Sequence, residues 1–442
     1  MKNRFLKNTT WILSGNIIKM LISFIIGILT TRYLGPSNYG VINYIQSFTV
    51  FFTAIIGLGL NAIIVNELVN NRDREGSILG TAIFLRFIAG VICSISFVPI
   101  VILFGEADKT TIWIAIIQAI QLPFLCFDTV QYFYQSKLIS KYSVIAQTIA
   151  YFTVSVYKTI LLVTGRSVLW FAFASTLDII VLALAYIFIY KKQSFPKWRF
   201  SREIAFRLIR TGIPFIVSSV MVVIYAQIDK VMIKTMIHSD YELGLYSAAI
   251  AVCSYYGFIP NAVIESARPI VLEAKLINND LFNKRFGQTV AGVFWICVFF
   301  ALSISLFAKP VIYILYGKEF FGAILCLRVA IWYTAFSYLG SVKSIWLIAE
   351  KKNNYVMIFS VLGAVSNIII NFLLIPIYGI VGAAIATLLT ELLVNFIYPL
   401  CMKNTRSFAI TAVNSILLKN IDIAECKKQF FDLLAKFFRR IK

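Results

Sequence analysis

Charged residues are scarce in this sequence, and acidic residues are the scarcest of them. Only 14% of the 442 residues are charged, and 41 Lys and Arg outnumber 20 Asp and Glu. Hydrophobic residues make up 60% of the chain. This composition excludes an ordinary soluble globular domain, in which charged residues are about 25% of the total.

Motifs for metal binding, nucleotide hydrolysis and acyl transfer are also missing. The seven cysteines form no CxxC pair, so neither a disulfide framework nor a metal site is indicated. The one histidine, His238, is expected to be a surface residue. No Walker A motif or nucleophile elbow is present, which argues against an ATP-driven pump or a hydrolase. We therefore expect a protein that is not an enzyme and that needs no cofactor.

Long apolar runs are what the sequence has in abundance. About 20 apolar residues are enough to cross a bilayer as a helix. The runs predict an all-α, polytopic membrane protein with twelve transmembrane helices. The predicted spans are residues 9–31, 40–63, 79–104, 111–133, 143–164, 167–190, 211–233, 243–264, 287–308, 322–348, 355–377 and 380–400.

The basic residues between these spans alternate from one side to the other. Twenty-nine lie in the segments of one side and six in those of the other. Because basic loops stay in the cytoplasm, we expect both termini to be cytoplasmic. Nucleic-acid binding is the other explanation for a high positive charge. It receives little weight, since the basic residues are spread over seven segments and form no single footprint.

The longest segment between spans, residues 191–210, divides the predicted helices into two lobes of six. Trp198, Phe200, Ile204 and Leu208 can share the apolar side of a helix lying on the membrane surface. The expected domains are an N-terminal lobe at 1–190, a cytoplasmic interfacial linker helix at 191–210, a C-terminal lobe at 211–400 and a basic amphipathic cytoplasmic tail at 401–442.

A weak internal repeat supports the two lobes. Ser37-Asn38-Tyr39 precedes Gly57–Asn61, whose sequence is GLGLN, and Ser239-Asp240-Tyr241 precedes Gly257–Asn261, whose sequence is GFIPN. Both copies fall on the second predicted helix of their half. Halves of six helices share an orientation and are related about an axis along the membrane normal. Chance similarity between apolar segments is the competing explanation.

Ten ionisable side chains fall inside the predicted spans. A cation in hydrocarbon costs at least ~2.5–3.5 kcal/mol, so such residues normally face the protein interior or a water-filled cavity. Cations outnumber acids, which suggests a path for an anion. The cations are Lys19, Arg86, Lys158, Lys230, Arg328 and Lys343, and the acids are Asp128, Asp178, Asp229 and Glu391.

Uncharged polar residues recur at helical spacing on several of the same spans. Asn16 aligns with Lys19, and Gln121 aligns with Asp128. Single polar residues of this kind often bond one helix to another, and that interpretation stays open. Lys and Arg suit phosphate or diphosphate, whereas amides and aromatic rings suit sugars. A lipid diphosphate that carries an oligosaccharide fits both, with apolar gaps between the halves for its lipid tail.

Residues 31–61 resemble the N-terminal signature of a known transporter family. Thr31–Pro36, with the sequence TRYLGP, is followed by Tyr39-Gly40. This pattern is similar to that of Wzx-type O-antigen and polysaccharide repeat-unit flippases in the multidrug/oligosaccharidyl-lipid/polysaccharide exporter (MOP) superfamily. Asn66-Glu67-Leu68 and the segment around Asp229-Lys230 resemble the same family.

The resemblance implies a flippase of the bacterial cytoplasmic membrane. Such a protein moves undecaprenyl-diphosphate-linked oligosaccharide repeat units from the inner to the outer leaflet by alternating access through a cationic central cavity. We predict that the six cations, together with Asn16 and Gln121, bind the diphosphate and sugar. The four acids are candidates for coupling to H⁺ or Na⁺. Membrane lipid and the glycan polymerase and chain-length machinery are candidate partners.

Two other functions remain open. An ion-coupled multidrug or small-molecule exporter of the same superfamily is the nearer one, although a cavity for organic cations should be acidic or aromatic. A membrane glycan polymerase or glycosyltransferase is the other. Such enzymes need a sizeable outer loop, and the largest outer segments here are only residues 234–242 and 309–321.

Overall fold

The all-α prediction is confirmed by the computed structural model. It describes the backbone of residues 2–105, 108–193 and 195–419, and the side chains of these residues from 22 onward except Ala62. The described residues contain no β-strand. The helices are α1 (Lys2–Ile56), α2 (Asn61–Asn70), α3 (Glu75–Phe104), α4 (Lys109–Ala119), α5 (Thr129–Ser136), α6 (Lys141–Thr164), α7 (Val168–Lys192), α8 (Arg202–Ile237), α9 (Asp240–Tyr255), α10 (Phe258–Ile277), α11 (Asn279–Leu306), α12 (Ala308–Tyr316), α13 (Ala323–Ala330), α14 (Tyr333–Ala349), α15 (Asn354–Leu392), α16 (Tyr398–Cys401) and α17 (Arg406–Ile416).

The described residues contain nine helical segments that are long and apolar enough to cross a membrane. A tenth is formed if α9 and α10, which meet at a bend of 42°, count as one broken span. Two of the nine, Ile22–Ile56 and Asn354–Cys401, each overlap two of the spans predicted from the sequence, and their helices α1 and α15 are interrupted at Gly35 and Gly379. The arrangement is therefore consistent with twelve crossings.

The TRYLGP signature has a clear conformational basis at its glycine. Gly35 has φ 69°, a left-handed value that favours glycine, and Pro36 follows it. A β-carbon at Gly35 would also lie 3.2 Å from the Glu319 carboxylate. The signature thus marks the sharp exit from the first predicted span.

Both copies of the internal repeat coincide with a helix interruption. The first, at Gly57–Leu60, separates α1 from α2, and Leu58 and Gly59 have φ of 49° and 60° there. The second, at Gly257, separates α9 from α10. In each copy the first glycine of the pattern lies in the break.

The segment 191–210 is built differently from the predicted interfacial helix. α7 continues to Lys192, and α8 begins at Arg202 and runs unbroken to Ile237. Trp198 and Phe200, expected on the apolar side of a helix, lie in a non-helical strap of residues 195–201. The strap packs on α3, where the Arg199 amide donates to the Gly76 carbonyl oxygen at 3.1 Å and the Ser201 amide donates to Thr81 Oγ1 at 2.9 Å.

Glycines on α3 explain why the strap can lie so close. A β-carbon at Gly80 would come within 2.5 Å of the Arg199 amide nitrogen and 2.6 Å of its carbonyl oxygen. Tyr190 adds an anchor by donating to the Pro196 carbonyl oxygen at 2.6 Å. These bonds give three backbone groups of the strap partners outside a helix, the amides of Arg199 and Ser201 and the carbonyl of Pro196.

The predicted tail lies only partly within the described residues. α17 buries Phe408, Ala409 and Ala412, and the Trp295 indole of α11 donates to the carbonyl oxygen of Ile416 at 3.2 Å. The predicted amphipathic pattern beyond residue 419 falls outside the described residues.

The chain divides into two compact units. Of the described residues, the first unit comprises those up to Ala248 together with Ile312–Ala323 and Ile375–Ile380, and the second comprises Ala249–Val311, Ile324–Leu374 and those from Val381 onward. The core of the first unit is rich in large side chains from α2, α3, α5, α7 and α8, including Phe133, Tyr134 and Tyr186, which are fully buried. The four domains proposed from the sequence stay a prediction.

Candidate functional site

Arg86 of α3 connects two interruptions in the helices of the first unit. One is the Gly57–Leu60 break described above. The other is a 3₁₀ stretch, Leu122–Asp128, which separates α4 from α5 and contains Pro123. Interrupted helices leave carbonyl groups without their usual partners, and in hydrocarbon such groups must be satisfied inside the protein.

The Arg86 guanidinium donates hydrogen bonds at both breaks, and the Gly57 carbonyl oxygen that it contacts also accepts from the Leu60 amide at 3.0 Å. One terminal nitrogen donates to the Gly57 carbonyl oxygen at 2.8 Å and to Asn61 Oδ1 at 2.5 Å, and the other donates to Thr129 Oγ1 at 3.2 Å. The guanidinium carbon lies 5.6 Å from the centre of the Tyr132 ring, and Arg86 is only 3% exposed. Asp128 interacts with it electrostatically. A planar fork can join two breaks in this way, whereas a point charge cannot.

A glycine one turn further along α3 lets the second break approach. A β-carbon at Gly90 would lie 2.7 Å from the Pro123 α-carbon and 2.8 Å from the Leu122 carbonyl oxygen. Such contacts are tighter than real β-carbons make, so Gly90 and Arg86 together fix the 3₁₀ stretch against α3.

Two further cations of the first unit are half-buried beside an acid. Lys158 of α6 interacts electrostatically with Asp178 of α7. Lys230 of α8 interacts with its neighbour Asp229, which is 4% exposed and accepts a hydrogen bond from the Tyr246 hydroxyl at 2.7 Å. Each of these lysines is therefore partly exposed as a residue and lies beside one acidic side chain.

The second unit holds a different polar cluster between α14 and the end of α15. Lys343 Nζ donates to the Val394 carbonyl oxygen and to Asn395 Oδ1, both at 2.8 Å, and lies 4.2 Å from the centre of the Phe359 ring. The Asn395 amide nitrogen in turn donates to Glu391 Oε2 at 2.5 Å. Lys343, Glu391 and Asn395 are each at most 6% exposed.

The remaining predicted site residues differ in their surroundings. Arg328 is exposed, and Gln121 is buried at the junction between α4 and the 3₁₀ stretch. The side chains of Asn16 and Lys19 lie outside the described residues. Among the described members of the predicted set, Arg86 is grouped with Asp128, Lys158 with Asp178, Lys230 with Asp229, and Lys343 with Glu391.

Several partners of these charges were not singled out from the sequence as site residues. They are Asn61, Thr129, Tyr132, Tyr246 and Asn395. Asn61 ends the repeat motif, and Asn395 lies four residues after Glu391 on the same helix face, so both carried a usable signal. The others are ordinary span residues whose importance depends on helix packing. Within the described residues, no group of His, Cys, Asp and Glu could hold a metal ion.

Comparison with known sequences places the chain among glycan-assembly proteins. Residues 5–266, more than half of the chain, match the model of the polysaccharide biosynthesis protein family. The chain belongs to this family. Capsular polysaccharide biosynthesis protein CapF of Staphylococcus aureus is 22% identical over 411 residues, which cover 89% of this chain and 98% of CapF. The resemblance carried by the TRYLGP signature is thus confirmed.

Two solved structures of membrane proteins have the same fold as this chain. An inward-facing multidrug resistance MATE family transporter of the MOP superfamily aligns with a TM-score of 0.72 at 16% identity, covering 93% of this chain and 96% of the transporter. The lipid II flippase MurJ, in an inward closed conformation, also aligns with a TM-score of 0.72 at 16% identity, covering 92% of each chain. The chain therefore has the membrane-spanning fold of transporters and flippases.

Proposed function

We propose that this protein is a flippase for lipid-linked glycan precursors. It moves undecaprenyl-diphosphate-linked oligosaccharide repeat units from the inner to the outer leaflet of the bacterial cytoplasmic membrane, and both its termini are cytoplasmic. The observation that carries the proposal is the conjunction of a polysaccharide biosynthesis sequence with buried and half-buried cations in a membrane-spanning helical protein. The fold shared with MurJ and the similarity to CapF add support.

Transport proceeds by alternating access through a cationic cavity, and the protein itself performs no covalent chemistry. Lys19, Arg86, Lys158, Lys230, Arg328 and Lys343, with Asn16 and Gln121, form the proposed set for the diphosphate and sugar. Lys158 and Lys230 are the strongest members, because each is half-buried and lies beside a single acid, Asp178 or Asp229. Asp128, Asp178, Asp229 and Glu391 are the proposed sites of H⁺ or Na⁺ coupling. The glycan polymerase and its chain-length machinery are the proposed partners.

Drug export is the second candidate, since a MATE transporter aligns as well as MurJ does. The family match and the positive charge of the interior favour the glycan precursor. A strain that lacks the protein distinguishes the two functions. Loss of a drug exporter changes the tolerance of the cell to toxic organic cations and leaves surface glycan unaltered.

The test is to replace Lys158 and Lys230 singly with Ala in a strain that depends on this protein for surface glycan. Loss of one charge-assisted contact, worth about 1.5–3 kcal/mol, should weaken binding roughly tenfold or more. Surface glycan should fall and lipid-linked repeat units should accumulate in the inner leaflet. Lys309→Ala removes an exposed positive charge near the start of α12 and serves as the matched control. Undiminished export in both variants at normal protein levels would contradict the site assignment.

A further inference from the structure

The cluster around Lys343 lies at an irregular turn of the chain. α15 ends at Leu392, and Leu393–Ile397 form a π-helical turn before α16. Single π-helical turns inside helices occur frequently at functional sites, because they change the hydrogen bonding of backbone carbonyl groups. The Val394 carbonyl oxygen, within this turn, accepts a hydrogen bond from Lys343 Nζ.

Four groups surround the Lys343 ammonium. Two are neutral oxygen atoms, the Val394 carbonyl and Asn395 Oδ1, both 2.8 Å from Nζ. The third is the face of the Phe359 ring, and the fourth is the carboxylate of Glu391, which interacts with Lys343 electrostatically. Oxygen ligands with one carboxylate are what hard cations prefer, and an aromatic face attracts any cation.

The orientation of the Asn395 amide is fixed by its two neighbours, Lys343 and Glu391. Its oxygen accepts from Lys343 and its nitrogen donates to Glu391 Oε2 at 2.5 Å, so the opposite amide orientation would break both bonds. Gly340, one turn before Lys343 on α14, leaves room for this amide, since a β-carbon there would lie 2.5 Å from Asn395 Oδ1. The pocket is therefore shaped around the ammonium group.

We propose that Lys343 is a tethered counter-ion that occupies a monovalent-cation pocket formed by Glu391, Asn395 and the Val394 carbonyl. The pocket balances one buried negative charge with one covalently attached positive charge. Removal of the ammonium leaves a buried carboxylate beside two oxygen ligands, and a free Na⁺ or K⁺ ion then takes its place. The proposal concerns the second unit alone and does not depend on the proposed transport function.

The experiment compares wild-type protein with Lys343→Met, purified at full length in detergent. Methionine keeps the length and apolar body of the lysine stem and removes its charge. The thermal unfolding midpoint is measured in NaCl, KCl and N-methyl-D-glucamine chloride at equal ionic strength. The midpoint of Lys343→Met should rise by several degrees in the alkali-metal salts in a saturable way, whereas the wild type should respond equally to all three.

Two further variants make the result specific. Lys343→Met combined with Glu391→Gln removes both charges and should abolish the response to Na⁺ and K⁺. Lys309→Met removes an exposed charge and should behave as the wild type. The proposal would be overturned if the unfolding midpoint of Lys343→Met did not rise with Na⁺ or K⁺. It would also be overturned if that midpoint rose only when the pH was lowered.

Protein yield decides the question if Lys343→Met does not fold. Breaking a buried ion pair from one side is strongly destabilising, whereas neutralising both partners is often tolerated. The double variant should then recover the yield that the single variant lacks. If neither the single nor the double variant folds, Lys343 acts through packing and not as a counter-ion.

Discussion

Arg86 in the first unit and Lys343 in the second are both buried cations beside a helix irregularity. Each donates to a backbone carbonyl oxygen, of Gly57 or of Val394, and to an asparagine oxygen, of Asn61 or Asn395. The two cations differ in their remaining contacts. Arg86 reaches across to Thr129 and so joins two breaks, whereas Lys343 is linked through Asn395 to the carboxylate of Glu391.

The comparison separates two uses of a buried charge. The guanidinium is a planar fork that can organise several chain segments at once, and its donors are largely committed to protein oxygens. The ammonium is a compact charge whose position is set by one irregular turn and one carboxylate. Replacing each group in turn shows whether shape or charge is the property that matters.

The largest effect is expected from the loss of Arg86. Arg86→Ala leaves the Gly57 carbonyl and Asp128 without their cation and should destabilise the protein by about 3–5 kcal/mol. Arg86→Lys restores the charge but cannot join both breaks, so it should recover only a minor part of that loss. Thermal unfolding of the purified variants in detergent provides the measurement, with Lys309→Ala as control. Full recovery by lysine would mean that charge alone, and not the fork, is needed at this position.

A smaller effect should distinguish the two asparagines. Asn395→Ala removes an acceptor from Lys343 and a donor from Glu391 in a buried site, which should cost roughly 1–3 kcal/mol. Asn61 is exposed, and Arg86 keeps its bonds to Gly57 and Thr129 when Asn61 is replaced, so Asn61→Ala should cost at most about 1 kcal/mol. The two unfolding midpoints, measured side by side, test this order. An equal or larger loss at Asn61 would remove the distinction between the sites.

The effects at the glycines one turn from each cation should range from a loss like that of Asn395→Ala down to no loss at all. Gly90→Ala would press against the backbone of Pro123 and should cost about 1–3 kcal/mol. Gly340→Ala meets the side chain of Asn395, which can shift, so a smaller loss is expected. Gly292 lies on α11 with no atom within 4 Å of a β-carbon and is the matched control. Gly292→Ala should be neutral or slightly stabilising in the same unfolding assay, because alanine favours helix more than glycine.

The helical architecture could be predicted from the sequence because a bilayer imposes a length on every apolar run. Gly35 and Gly57 both belong to motifs that the sequence showed, but the predicted span 40–63 ran through the break at Gly57. The non-helical form of residues 195–201 in the predicted linker could not be predicted. Its apolar residues fit a surface helix, but Gly76 and Gly80 of α3 accept residues 195–201 as an extended strap. A pattern read along one segment carries no information about the surface that another segment offers.

The sequence by itself determined that ten charges must be placed in the apolar spans, because hydrocarbon makes an unpartnered charge costly. It also determined an excess of positive charge among them. Only the tertiary structure decided that Arg86 binds the Gly57 carbonyl and that Asn395 connects Lys343 to Glu391. These contacts depend on how each helix is rotated and where it breaks. Rotation is set by the packing of many distant side chains, which no local pattern specifies.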